Sequence, residues 1–155
     1  MRSMARFLLI LSLVVWLGGI TFFSFVVAPA LFAMLPNPQV AGAAVRVTLV
    51  RLHVIGITCG VLFFLATFII KLKNVKALRL LVGLMVLLTA LSQFGVMPQM
   101  ERIRDAVGGS IQALPPLDAG RAAFDRLHKL SVILEGATLV VGMVVVGLIS
   151  RDPSD

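Results

Sequence analysis

The chain has two histidines, and each ends the same short pattern. Residues 46–53 read RVTLVRLH and residues 121–128 read RAAFDRLH, so both copies have the form R-x4-R-L-H. His53 and His128 are 75 positions apart. Imidazole changes its charge near neutral pH and is a common metal ligand, so two imidazoles in matching positions indicate a candidate site.

Helical periodicity extends each pattern into a stripe. Positions seven apart share a face of an α-helix, because the helix has 3.6 residues per turn. The two stripes that result contain Arg46, His53, Gly56 and Gly60, and Arg121, His128, Ser131 and Glu135. If they face each other at equal depth, the two imidazoles converge below the arginines.

Haem is the first chemistry that this arrangement predicts. Histidines on facing helices ligate b-type haem, and bundle interiors commonly hold cofactors. We predict His53 and His128 as axial ligands, with arginines for the propionates and small residues for space. Beside the histidines, the predicted haem-binding residues are Arg46, Arg51, Arg121, Arg126, Gly56, Gly60 and Glu135. The role would be electron transfer or a quinone-linked redox step.

Copper is the alternative cofactor. Met97 and Met100 lie in the segment MPQM at the end of an apolar run. Thioether and imidazole ligands suit Cu(I), so the candidate metal ligands are His53, His128, Met97 and Met100. The single cysteine excludes an intramolecular disulfide and does not favour a zinc site.

Glu135 also favours a function, because a carboxylate inside a membrane is costly and normally faces a partner or a water-filled cavity. His128, one stripe position away, is its predicted partner. This arrangement also fits a permease for metal ions or small molecules. The structural alternative is that each histidine hydrogen-bonds an acid or a carbonyl group and only maintains helix register.

The composition places the chain in a membrane. Hydrophobic residues make up 59% and charged residues 14%, against about 25% charged residues in soluble domains. The mean hydropathy is +1.06. The net charge of +7 therefore predicts orientation in a lipid bilayer and contact with anionic headgroups rather than binding of nucleic acid.

Apolar runs predict an all-α integral membrane protein, a bundle of four transmembrane helices formed by two duplicated helical hairpins. The hairpins cover about residues 6–73 and 76–151 of a single domain, 1–155. The first run is too long for a signal peptide and is predicted to be a retained span. Asp118 is predicted to cap the last helix, and Gly108-Gly109 to end the third. Pro29 and Pro98 are predicted to kink or end the odd-numbered spans.

Basic residues predict the orientation. The short loop KLKNVKALR has Lys71, Lys73, Lys76 and Arg79 and no acidic residue. By the positive-inside rule this loop and both termini are cytoplasmic. The predicted location is the inner (cytoplasmic) membrane.

Two segments carry a resemblance to a known family. WLGGITFFSFVVAPALF, residues 16–32, and FDRLHKLSVI, residues 124–133, resemble the transmembrane protein 205-like family of small four-helix membrane proteins. The chain is also distantly similar to the CopD copper-resistance membrane domain and to HemJ, a four-helix haem protein. HemJ-like proteins carry a histidine ahead of the first-span tryptophan, which this chain lacks. The resemblance implies the four-helix fold and leaves copper and haem open.

Three functional hypotheses follow. The leading one is a membrane protein that binds haem b through His53 and His128. The second is a non-catalytic accessory subunit that packs in a larger membrane complex or in a homo-oligomer. The third is a metal-ion (copper) or small-molecule permease that uses Glu135 and the histidines. No phosphate-binding loop, nucleophile elbow or HExxH motif is present, so no catalytic residue is predicted.

Overall fold

The computed structural model describes residues 2–70, 72–108 and 110–151. Four long helices form it: α1 (Ser3–Met34), α2 (Pro38–Ile69), α3 (Val75–Ala106) and α4 (Ala119–Ser150), each of 32 residues. All four are long and apolar enough to cross a bilayer. The described residues contain no β-strand, and the predicted all-α four-helix membrane bundle is confirmed.

Local sequence sets the helix ends. Asn37 accepts a hydrogen bond from the backbone N–H of Val40 at 2.9 Å and so caps α2. Asp118 accepts from the N–H groups of Gly120 at 2.7 Å and Arg121 at 3.1 Å, which confirms the predicted cap of α4. Just beyond the end of α3, Gly108 has a φ of +69°, in the left-handed region that glycine adopts at little cost. Gly109 and Lys71 lie outside the described residues.

Pro29 and Pro98 were predicted to kink or end their spans, and the ending is wrong, because both helices continue through them. A π-helical segment, Phe23–Val27 in α1 and Leu91–Val96 in α3, ends two residues before each proline. Proline lacks an N–H group and clashes with the carbonyl four residues earlier. That carbonyl lies within the π segment in both helices, where the widened turn relieves the conflict.

The helices form a closed ring in chain order. α1 packs mainly on α2, α2 on α3 and α3 on α4, and a less extensive α1–α4 contact closes the ring. α2 and α4 therefore lie on a diagonal. We call the end that carries residues 35–37 and 107–118 the distal end, and the opposite end, with both chain termini, the terminal end. In the predicted orientation the distal end is outside.

A tryptophan at the α1–α2 contact accounts for the GxxxG spacing of α2. Trp16 is buried, and its indole lies directly on Gly56 and Gly60. A methyl group on Gly56 would overlap the indole ring, and one on Gly60 would lie 2.5 Å from Cγ2 of Val86. The two glycines therefore provide the space for a side chain of the bundle itself.

At the terminal end, an arginine joins α2 to α3. The Nε–H group of Arg79 donates to Thr67 Oγ1 at 2.9 Å, and Nη2 donates to the Thr67 carbonyl at 3.1 Å. The guanidinium also lies over the Phe68 ring, 4.2 Å from its centroid. Arg79, a basic residue of the predicted cytoplasmic loop, thus provides a hydrogen-bond donor for a carbonyl group in the last turn of α2.

Candidate functional site

Three polar side chains meet in the middle of the bundle. His53 on α2 is 1% exposed. Its Nδ1 lies 2.7 Å from Gln93 Oε1 on α3, and its Nε2 lies 2.5 Å from Glu135 Oε1 on α4. We call these residues the polar triad. The His53–Glu135 contact crosses the diagonal of the ring and connects the two helical hairpins.

Helix register explains why His53 meets Glu135 instead of His128. His53 follows the first residue of α2 by 15 positions, and Glu135 follows the first residue of α4 by 16. His128 follows that residue by only 9 positions, so it lies about 9 Å nearer the distal end than His53. The predictions that the histidines share one depth and that His128 partners Glu135 are therefore wrong. The two motif copies begin at different distances from the starts of their helices.

A hydrogen bond between His53 Nε2 and Glu135 Oε1 needs a hydrogen on one of the two atoms. Gln93 Oε1 can only accept, so His53 Nδ1 carries a hydrogen in this arrangement. The contact between Nε2 and Glu135 Oε1 then requires one more proton, on either the imidazole or the carboxyl group. Both forms have no net charge, which suits a buried position. Loss of that proton leaves a net negative charge and two acceptors facing each other.

A cavity of about 760 Å³ opens beside the triad in the distal half of the bundle. It lies between the distal half of α1 and α4, and α2 and α3 form its back wall. Its surface is mainly apolar, and its volume is in the range of small-molecule sites. Glu135 lines this cavity, whereas His53 is not among the lining residues. Glu135 is therefore the member of the triad that a bound molecule would meet.

Polar residues on α4 connect Glu135 to the distal end. Asp125, His128, Ser131 and Glu135 all line the cavity at helical spacing. We call them the polar ladder. Asp125 and His128 are exposed, Ser131 is buried and the Glu135 side chain is 13% exposed. The ladder thus runs from the distal surface to the middle of the bundle.

An ionic cluster forms the distal rim of the cavity. Arg46 Nη1 lies 3.2 Å from Glu101 Oε2, and Arg104 Nη1 lies 2.5 Å from Glu101 Oε1. The Arg104 guanidinium also lies 5.4 Å from the centroid of the Phe124 ring. Both arginines thus share one carboxylate, and they connect α2 to α3 at the distal end.

The residues predicted for haem do not form a haem site in this arrangement. Both ring nitrogens of His53 are hydrogen-bonded, and Trp16 occupies the space beside Gly56 and Gly60. The four arginines are dispersed: Arg46 pairs with Glu101, Arg51 is exposed, and Arg121 and Arg126 bond the carbonyl groups of Leu114 and Ala122. Haem binding stays a prediction, and this geometry does not favour it.

The candidate copper ligands are only partly brought together. Met97, Met100 and His128 line the cavity, while His53 lies behind Glu135. Within residues 2–70, 72–108 and 110–151, no cluster of three or more His, Cys, Asp or Glu side chains is placed to hold a metal ion. Copper binding stays a prediction.

Gln93 is the site residue that the sequence reasoning missed. It lies in the apolar run LSQFGV of α3, where an uncharged amide signals a hydrogen-bond partner in the bundle interior. The triad therefore has a sequence signal in each helix that contributes to it.

The comparisons with known proteins identify a family. Residues 11–108 match the family described as "Domain of unknown function (DUF4149)". No curated protein and no solved structure matches the chain. The narrower resemblance to the transmembrane protein 205-like family stays a prediction. Because the matched segment covers more than half of the chain, the protein belongs to the DUF4149 family.

Proposed function

We propose that the protein is a proton-linked permease for small molecules. The observation that carries this proposal is that Glu135 lines an apolar cavity while bonding to buried His53. A cavity wall with one ionisable group at mid-membrane depth lets a bound molecule and a proton influence each other. Ionisable residues inside membranes commonly mark such pathways.

The polar ladder supports the proton route. Asp125, His128 and Ser131 lie between the distal surface and Glu135, and each can accept and donate a proton or a hydrogen bond. A proton that leaves the triad can therefore pass to the distal side without crossing the apolar wall. In the predicted orientation, that side is outside the cell.

The accessory-subunit hypothesis accounts for less of this geometry. Packing in a larger complex or a homo-oligomer needs exposed apolar surface, which any transmembrane helix has. It needs neither an internal cavity nor a carboxyl group on its wall.

Glu135→Gln tests the proposal, because it removes the proton-binding group and keeps the shape. The glutamine amide can still donate to His53 Nε2, so we expect the fold to survive. Wild-type protein and variant are reconstituted in liposomes that contain a pH indicator. They are then challenged with an organic cation, an organic anion, a neutral amphiphile and cuprous ion. We expect at least one compound to change the internal pH with wild-type protein, and none with the variant.

Asp105→Asn is the matched control, because Asp105 is an exposed carboxylate of α3 outside the cavity lining. It should behave as wild type. Infrared spectra in D2O provide a second readout, in which the carbonyl band of a protonated Glu135 should shift and should be missing in Glu135→Gln. Identical pH traces for wild type and Glu135→Gln with all four compounds would contradict the proposal. A Glu135 carbonyl band that does not shift in D2O would contradict it as well.

A further inference from the structure

We infer that the molecule taken up by the cavity is an organic cation with an apolar body, bound in exchange for the proton of the triad. The inference rests on the proposed function, because it names the substrate class of the same site.

The ionisable group that a deeply bound molecule meets is a carboxyl group. Glu135 lines the cavity near the middle of α4, and the imidazole of His53 lies behind it. A cation beside Glu135 can take the electrostatic place of the shared proton. An anion at the same depth would face the carboxyl oxygens and no free donor of the triad.

The walls of the cavity suit a cation with an apolar body. Four phenylalanines line it: Phe23, Phe25, Phe32 and Phe124. Aromatic faces attract organic cations through the ring quadrupole, most strongly where water is excluded. Phe25 and Phe32 are 71% and 50% exposed, so the α1 side of the cavity is open at the surface of the bundle. An amphipathic molecule could enter there from the bilayer.

The arginines do not reverse this preference. Arg46 and Arg104 share the carboxylate of Glu101 at the distal rim. Glu135 lies about 10 Å deeper than His128, which is itself among the lining residues. The ionisable groups that line the cavity with Glu135 are Arg46, Glu101, Arg104, Asp125 and His128, and the lining residues of α1 include no ionisable group.

Charge balance couples the cation to a proton. In the empty cavity, one proton lies between His53 Nε2 and Glu135 Oε1, and the triad is neutral. When the cation binds, that proton leaves through the polar ladder to water on the distal side. The carboxylate that remains turns away from Nε2 to pair with the cation, and His53 stays neutral with its Nδ1–H on Gln93. No net charge enters the bundle, which avoids the cost of burying an unpaired ion.

A pair of probes with the same shape and opposite charge tests the inference. Radiolabelled tetraphenylphosphonium and tetraphenylborate are equilibrated with the protein in nanodiscs, and binding to empty nanodiscs is subtracted. We expect saturable binding of tetraphenylphosphonium that strengthens as the pH rises, with release of about one proton per bound cation in weakly buffered solution. Glu135→Gln should weaken this binding by about tenfold or more, whereas Asp105→Asn should leave it unchanged.

The remaining outcomes separate the two proposals. Saturable binding of tetraphenylborate that Arg46→Gln removes would overturn the cation inference and assign the cavity to anions. Tetraphenylphosphonium binding that is independent of pH and of Glu135 would also overturn it. In either case, Glu135-dependent pH changes in the liposome assay would leave the permease proposal standing. Absence of those changes would reject the permease proposal as well.

Discussion

At the scale of single residues, buried His53 is the side chain that joins α2 to both α3 and α4. His53 bonds to Gln93 through one nitrogen and to Glu135 through the other. The two contacts orient the ring, and one of its partners, Glu135, lies on the wall of the distal cavity. Burial makes each partner necessary, because an unsatisfied polar group in the interior costs about 1–3 kcal/mol.

Gln93→Met tests the contribution of the His53–Gln93 hydrogen bond to stability, since it keeps the side-chain length and removes the acceptor for His53 Nδ1–H. We expect a loss of about 1–3 kcal/mol in the free energy of unfolding, measured by thermal or denaturant unfolding in detergent. Gln99→Met is the control, because Gln99 on the same helix is exposed and its amide donates to the carbonyl of Gly95 within that helix. Equal stability of both variants would show that the His53–Gln93 bond does not matter for folding.

At the scale of helices, close approach and register position the site. Trp16 lies on Gly56, one turn after His53, and so fixes α2 against α1. The π segments allow α1 and α3 to continue past their prolines and to form the distal half of the cavity. The matching positions of these segments in α1 and α3 favour the predicted duplication of a helical hairpin, which stays a prediction.

Gly56→Ala should destabilise the protein, because the new methyl group overlaps the Trp16 indole. We expect a loss of about 1–3 kcal/mol in the free energy of unfolding, as for other overpacked cores. Gly83→Ala is the matched control in α3, where the methyl group would lie 3.6 Å from Phe64 Cζ, an ordinary contact. It should be neutral or stabilising by up to about 1 kcal/mol. A Gly56→Ala variant as stable as Gly83→Ala would contradict the close packing of Trp16 on α2.

At the scale of the whole molecule, the contact between α1 and α4 is where the bundle is open. The 760 Å³ cavity lies in its distal half, and a smaller cavity of about 470 Å³, lined by residues such as Ile10, Leu17 and Val146, lies toward the terminal end. Between them Leu17 packs directly on Gly142. Passage from one cavity to the other therefore requires movement at this contact.

Gly136→Phe should block the distal cavity without harming the fold. Gly136 lines the cavity, and a Cβ atom added there meets no atom within 4 Å. We expect the variant to unfold like wild type and to lose at least about tenfold of the Glu135-dependent liposome signal. Gly147→Phe on the same helix is the control, because Gly147 is equally unobstructed and outside both cavities. Full activity of Gly136→Phe would mean that the cavity is not the pathway.

The class and the architecture of this protein follow from its amino-acid sequence. Apolar runs of sufficient length in a chain with 14% charged residues predict four membrane-spanning helices, because backbone groups in lipid must bond within their own helix. The cap of α4 at Asp118 follows equally from local chemistry. The sequence also singled out His53, through the repeated R-x4-R-L-H motif, and Glu135, because a carboxylate inside a membrane is costly.

Which of those groups meet depends on how the helices pack against one another. The repeated motif favoured a His53–His128 pair, but the axial offset between α2 and α4 places Glu135 opposite His53. Likewise, the spacing of Gly56 and Gly60 could not show that Trp16 occupies the space beside them. Relative depth and rotation of helices depend on packing between distant segments, and the periodicity of one helix contains no information about its neighbour.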